Sequence, residues 1–129
     1  MMGQCIFQGS VPSDLAVVHE FLEMASGCLE RHIPNHERYF DAKLVISELV
    51  VNGALHGNCC SPKKRVSLFV GREADALRIS VRDEGMGVPA MIAPPRSPWS
   101  THGRGLVLVE ALCDNLFVLD NEVFVIIQI

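Results

Sequence analysis

The segment from Leu44 to Ala54, LVISELVVNGA, constrains the fold of this chain more than any other stretch. It is apolar almost all the way round a helix, so most of a helix there belongs in the interior rather than on the surface. The pattern predicts a helix from about Glu37 to His56, stopped by Gly57-Asn58 as a C-cap. Glu48, Asn52 and His56 interrupt the apolar surface at steps of four and so fall on one stripe. A carboxylate in such surroundings is costly unless it is paired or faces a wet cavity. The stripe therefore points at a bound polar group, into a satisfied core network, or along a solvated surface.

Around this helix the chain reads as alternating layers. Residues 4 to 8 suit a short strand. Ser13 is placed as an N-cap with Asp14 in the first turn, and Leu15, Val18, Leu22, Ala25 and Leu29 recur at helical spacing as one buried face. Pro34-Asn35 ends that helix. Val66 to Val70 and Leu77 to Val81 suit two strands of a hairpin across the polar GREAD. A proline-rich segment runs from Gly85 to His102, long enough that a lid over Val88 to His102 is expected. An apolar helix follows from Arg104 to Cys113. Leu116 to Leu119 and Val123 to Ile129 then close a hairpin over Asp120-Asn121. Hairpin-linked strands with three helices imply a mixed, mainly antiparallel sheet with helices on one face, a two-layer α/β sandwich. The 129 residues suit a single domain over 1–129.

Composition narrows the function classes. Hydrophobic residues are 49% and charged residues 20%, a balance that folds. A net charge of -4 argues against a nucleic-acid-binding surface. No apolar run approaches the roughly 20 residues that cross a bilayer, and MMGQCIFQGS lacks the basic and apolar regions of a signal peptide. A cytoplasmic location without membrane contact is expected. Cys5, Cys28, Cys59, Cys60 and Cys113 are odd in number and contain no C-x-x-C pair, so reduced thiols are expected rather than disulfides or a zinc site.

Two further blocks carry chemistry. Asp83 ends a strand and is followed by Glu84-Gly85-Met86-Gly87. An aspartate there can accept a hydrogen bond from an amino group, and the two glycines let the backbone bend and approach a ligand. Gly103 and Gly105 flank Arg104 at the start of the Arg104 to Cys113 helix, just before its apolar run Leu106 to Leu112. Free N–H groups at a helix start bind phosphate, and Arg104 adds a charged fork. Ordinary turns and loop junctions use the same residues, so neither block is specific alone. No G-x-x-x-x-G-K-[ST] run exists, which excludes a P-loop. His102, Trp99 and Arg96 lie in the lid segment, where an exposed histidine without a role competes with phosphate contact.

In order, ISELVVNGALHG (Ile46–Gly57), VRDEGMGVP (Val81–Pro89) and HGRGLVLV (His102–Val109) resemble the ATP-binding domain of the GHKL, or histidine kinase-like, superfamily. The small size is similar to that of the stand-alone serine/threonine kinases that act as bacterial anti-sigma factors. The resemblance implies a Bergerat ATP-binding fold that takes ATP and Mg2+. It implies magnesium on Asn52, a general base or orienting role for Glu48, and adenine held by Asp83 with Gly85 and Gly87 beside the base. Gly103, Arg104, Gly105 and Leu106 would close over the phosphates. It further implies transfer of phosphate to a Ser or Thr of a small anti-sigma-factor antagonist, a sigma factor as second partner, and a homodimer. One departure stands out: Asn121-Glu122-Val123 replaces the Gly and Thr that often precede the last strand, and Glu122 adds a negative charge. A non-catalytic nucleotide-sensing module and a detached histidine-kinase catalytic domain are the alternative readings.

Overall fold

The computed structural model describes residues 3–85 and 107–129. In chain order the elements are β1 (Gln4–Pro12), α1 (Leu15–Glu30), α2 (His36–Asn52) with a π-helical turn over Gly53–Gly57, β2 (Arg65–Glu73), β3 (Ala76–Arg82), β4 (Asn115–Leu119) and β5 (Glu122–Gln128). A short helix, α3, occupies residues 107–112. The strands form one sheet in the order β1-β2-β3-β5-β4. Every neighbouring pair is antiparallel.

Alternation along the strands makes the two layers. Val66, Leu68 and Val70 of β2, Leu77, Ile79 and Val81 of β3, and Val125 and Ile127 of β5 are buried. They form one core with Val18, Phe21, Ala25 and Leu29 of α1 and Ala42, Val45, Ile46, Leu49 and Val50 of α2. α3 adds Val109 to the same core. Among the described residues the opposite sheet face is uncovered, and it carries the exposed side chains of Phe69, Phe117 and Phe124. This is the expected two-layer α/β sandwich, with a sheet that is wholly antiparallel among the described strands.

Several local expectations shift. The N-cap of α1 is Asp14, not Ser13: its carboxylate accepts the Ala16 N–H at 3.0 Å. Leu15, in the first turn, is 49% exposed, because the buried stripe starts one turn later at Val18. Phe21 joins the stripe instead, edge-on to Phe7 of β1 with ring centroids 5.3 Å apart. β1 extends to Pro12 because its whole length pairs with β2, with an irregularity between Cys5 and Phe7. Leu44 is exposed, so the burial of α2 is less complete at its start than expected. Regular α-helix stops at Asn52, and the Asn58 N–H reaches back five residues to the Gly53 carbonyl at 2.8 Å. Such wide turns recur at functional sites.

Ser13 and Asn58 have a different task, set by burial. Ser13 is 3% and Asn58 1% exposed, so each polar atom needs a partner. The Asn58 Nδ2 donates to Ser13 Oγ at 2.9 Å and to the Arg65 carbonyl at 3.0 Å. The Asn58 Oδ1 accepts the Glu84 N–H at 2.7 Å. Ser13 Oγ donates to the Lys64 carbonyl at 2.8 Å. One buried amide thus joins the start of α1, the start of β2 and the exit of β3 to the end of α2. Asn58→Ala strands these groups and is expected to cost about 2–4 kcal/mol of stability. Urea denaturation checks it, and a loss below about 0.5 kcal/mol would remove Asn58 as the joint.

Candidate functional site

Glu48 and Asn52 lie one turn apart on α2 and are both half-buried. The four-residue spacing puts them on one side of the helix, as expected. Among the described residues neither is engaged by a side-chain hydrogen bond or ion pair. His56 falls within the π-helical turn and is exposed, whereas Glu48 and Asn52 are half-buried.

Asp83 follows β3 directly. Strand alternation sends Arg82 outward and Asp83 to the helix side. A Cβ built on Gly53 would stand 3.6 Å from the Asp83 Cβ, which places Asp83 against the residue that follows Asn52. A Cβ on Gly57 would collide with the Asp83 carboxylate itself. A Cβ on Gly85 would strike the Gly57 carbonyl. Gly57 and Gly85 thus let the end of α2 and the loop after β3 touch backbone to backbone, with the carboxylate wedged between. Gly85 serves this contact between two segments.

The loop is pinned on every side. The Gly85 N–H donates to Asp83 Oδ1 at 2.8 Å. The Glu84 N–H goes to Asn58 and the Glu84 carboxylate accepts the Arg65 N–H. The Asp83 N–H donates to the Asn121 carbonyl at 3.0 Å, and Asn121 Nδ2 donates back to the Asp83 carbonyl at 2.5 Å. Glu122 does not bring its charge to this place. Its carboxylate accepts the Ser80 hydroxyl at 2.6 Å on the open face of the sheet, opposite the helices.

The structure therefore brings Asp83 and Gly85 together with the α2 segment that carries Glu48 and Asn52. Gly87, Gly103, Arg104, Gly105 and Leu106 lie outside the described residues, as do Arg96, Trp99, His102 and the expected lid. Asn58 and Asn121 are the site-building residues that sequence reasoning missed. Asn58 carried only a helix-stop signal, and Asn121 only a turn signal. Thiol chemistry is not favoured at the end of α3: burial first, then the Asp114 carboxylate, push the Cys113 thiol up.

The residues present fit a purine nucleotide with a magnesium ion. A carboxylate held at fixed orientation suits an amino donor. A neutral Asn oxygen on the adjoining helix suits an ion that takes its remaining ligands from phosphates and water. No group of three or more His, Cys, Asp or Glu gathers among the described residues, so a protein-only metal cage is not the design there.

The close contact makes a mutational pair. Gly57→Ala is expected to destabilise the fold by about 1–3 kcal/mol, because the methyl group must displace the Asp83 carboxylate. Gly27→Ala, on the exposed side of α1 with nothing within 4 Å, should stabilise by about 0.5–1 kcal/mol. Paired thermal melts check both, and equal shifts would contradict the contact.

Comparison with known proteins bears on the family and the fold. The family model described as histidine kinase-like ATPase domain matches residues 11–127. The chain is 33% identical over 97 residues to the anti-sigma F factor of Geobacillus stearothermophilus, covering 70% of this chain and 65% of the relative. It is 29% identical over 99 residues to the anti-sigma F factor of Bacillus cytotoxicus, covering 70% and 66%. The chain thus spans just under two thirds of the length of these relatives. The histidine kinase domain of the Erythrobacter litoralis blue-light activated histidine kinase superposes with a TM-score of 0.52 at 18% identity, over 92% of this chain and 60% of that one. No helix among the described residues is long and apolar enough to cross a membrane. The fold and the matched span together establish that this chain belongs to the histidine kinase-like ATPase family.

Proposed function

We propose that the protein is an ATP-dependent serine/threonine kinase that acts as an anti-sigma factor and phosphorylates a small antagonist protein. The observation that carries this reading is the placement of Asp83 between Gly57 and Gly85, beside the helix end that presents Glu48 and Asn52. The similarity to proteins named anti-sigma F factor supports the choice within the family.

Each residue then has a defined task. Asp83 accepts a hydrogen bond from the adenine amino group, with Gly85 and Gly87 leaving room for the base. Asn52 offers its side-chain oxygen to magnesium, which when bound neutralises phosphate charge. Gly103, Arg104, Gly105 and Leu106 are assigned to the phosphates on sequence grounds. Glu48 takes the proton of the incoming hydroxyl as that oxygen bonds to the terminal phosphorus and the bond to the bridging oxygen breaks, releasing ADP. The half-buried position of Glu48 suits a base that water competes with poorly. The proposal includes a sigma factor and a second copy of this chain as partners, a cytoplasmic setting and a single domain over 1–129.

Two variants test it. Glu48→Gln keeps the size and removes the base, so it should leave ADP affinity unchanged while slowing phosphorylation of a partner Ser or Thr by roughly 10²–10⁴. Asp83→Asn should weaken ADP binding by about 1–3 kcal/mol. Calorimetry and a phosphotransfer assay with labelled ATP read the two effects. Wild-type rates in Glu48→Gln would remove the base assignment. Labelling of histidine in place of Ser or Thr would overturn the substrate class.

A further inference from the structure

The last ladder pair between β3 and β5 is Arg82 with Glu122. In an antiparallel ladder, residues of a hydrogen-bonded pair exchange two backbone bonds. One step further out, Asp83 and Asn121 also exchange two bonds. Only the first is of the ladder type: the Asp83 N–H donates to the Asn121 carbonyl at 3.0 Å. The second comes from a side chain, with Asn121 Nδ2 donating to the Asp83 carbonyl at 2.5 Å. Asp120 sits at a φ of 54° in the two-residue turn between β4 and β5, and this turn brings the Asn121 amide to Asp83 in place of a continuing strand. Asn121 therefore extends the sheet by one residue on the β3 side alone, and that residue is Asp83.

This fixes a direction. Holding both backbone groups of Asp83 removes rotation about its position in the chain, and the Gly85 N–H then orients its carboxylate. Without Nδ2, the Asp83 carbonyl loses this anchor, and the direction of the carboxylate is set less tightly. An acceptor that must meet one amino group of a planar base loses most from such loosening, because hydrogen bonds weaken steeply off-axis.

We propose that Asn121 is a positioning residue that aims the Asp83 carboxylate and so sets the preference of the site for a base bearing an exocyclic amino donor. The inference rests on the nucleotide reading given above. It concerns the choice of base and is independent of the class of protein substrate.

A double-mutant cycle on the full chain tests it, with calorimetric affinities for Mg·ADP and Mg·IDP, whose hypoxanthine has a carbonyl in place of the amino group. Asn121→Ala is expected to weaken ADP about tenfold while leaving IDP within about twofold, so selectivity collapses. In an Asp83→Ala background, Asn121→Ala should change ADP affinity by less than about twofold, because the group it aims is gone. Asn121→Asp retains size and turn preference but lacks the donor. It should reproduce the loss of selectivity and carries the test if Asn121→Ala fails to fold. Equal loss of ADP and IDP, or the full effect persisting without Asp83, would overturn the positioning role and leave Asn121 a structural residue. Wild-type protein that binds ADP and IDP equally would also overturn it. Wild-type protein that binds neither would overturn the nucleotide reading itself.

Discussion

A single buried amide ties this fold together. Asn58 stands where α2 has ended, and its three hydrogen-bonding positions reach Ser13, Arg65 and Glu84. These residues lie at the start of α1, the start of β2 and the exit of β3. Apolar burial presses helices onto a sheet but has little directional preference, so it tolerates sliding. A saturated polar centre does not, since any slip leaves a donor or acceptor without a partner in a dry interior. The helix layer is thereby indexed to the sheet at one corner, and that corner is where Asp83 emerges.

The same corner explains why small residues cluster there. Gly53 packs on Val66, while Gly57 and Gly85 let two backbones meet. Close approach of chain segments draws a carboxylate into a wall built of main chain. Main-chain walls are stiffer than side-chain walls, which suits a site that must hold one polar group in one direction. The acidic group that threatened this arrangement on sequence grounds, Glu122, is turned to the far side of the sheet and bonded by Ser80.

What the sequence revealed and what it concealed divide along the range of the interactions. The α2 pattern, the alternation of β2 and β3 and the Asp120-Asn121 turn are local signals, and each element is present. The three blocks also placed Asp83 and the α2 stripe in one neighbourhood, which the glycine contacts support. Ser13 misled because serine before a helix has a strong local meaning, whereas its hydroxyl is used by Lys64 and Asn58 at long range. The bonds Asn58–Ser13, Asn58–Glu84 and Asn121–Asp83 span 45, 26 and 38 positions, and no periodicity within a helix or strand encodes them. The π-helical turn has no signal of its own in the sequence, which reads as a helix running on to His56.

The clamp at Asp83 has a consequence for the stretch of chain that follows. Residues 86–106 leave the described structure at Gly85 and rejoin it at α3, where Val109 is fully buried. Both flanks are fixed by contacts among the described residues: Asp83 is held by Asn121, and Val109 lies in the core. The sheet and the helices therefore keep one register at the two points where that stretch is joined, and a polar group presented at Asp83 is presented from a frame already fixed on both sides.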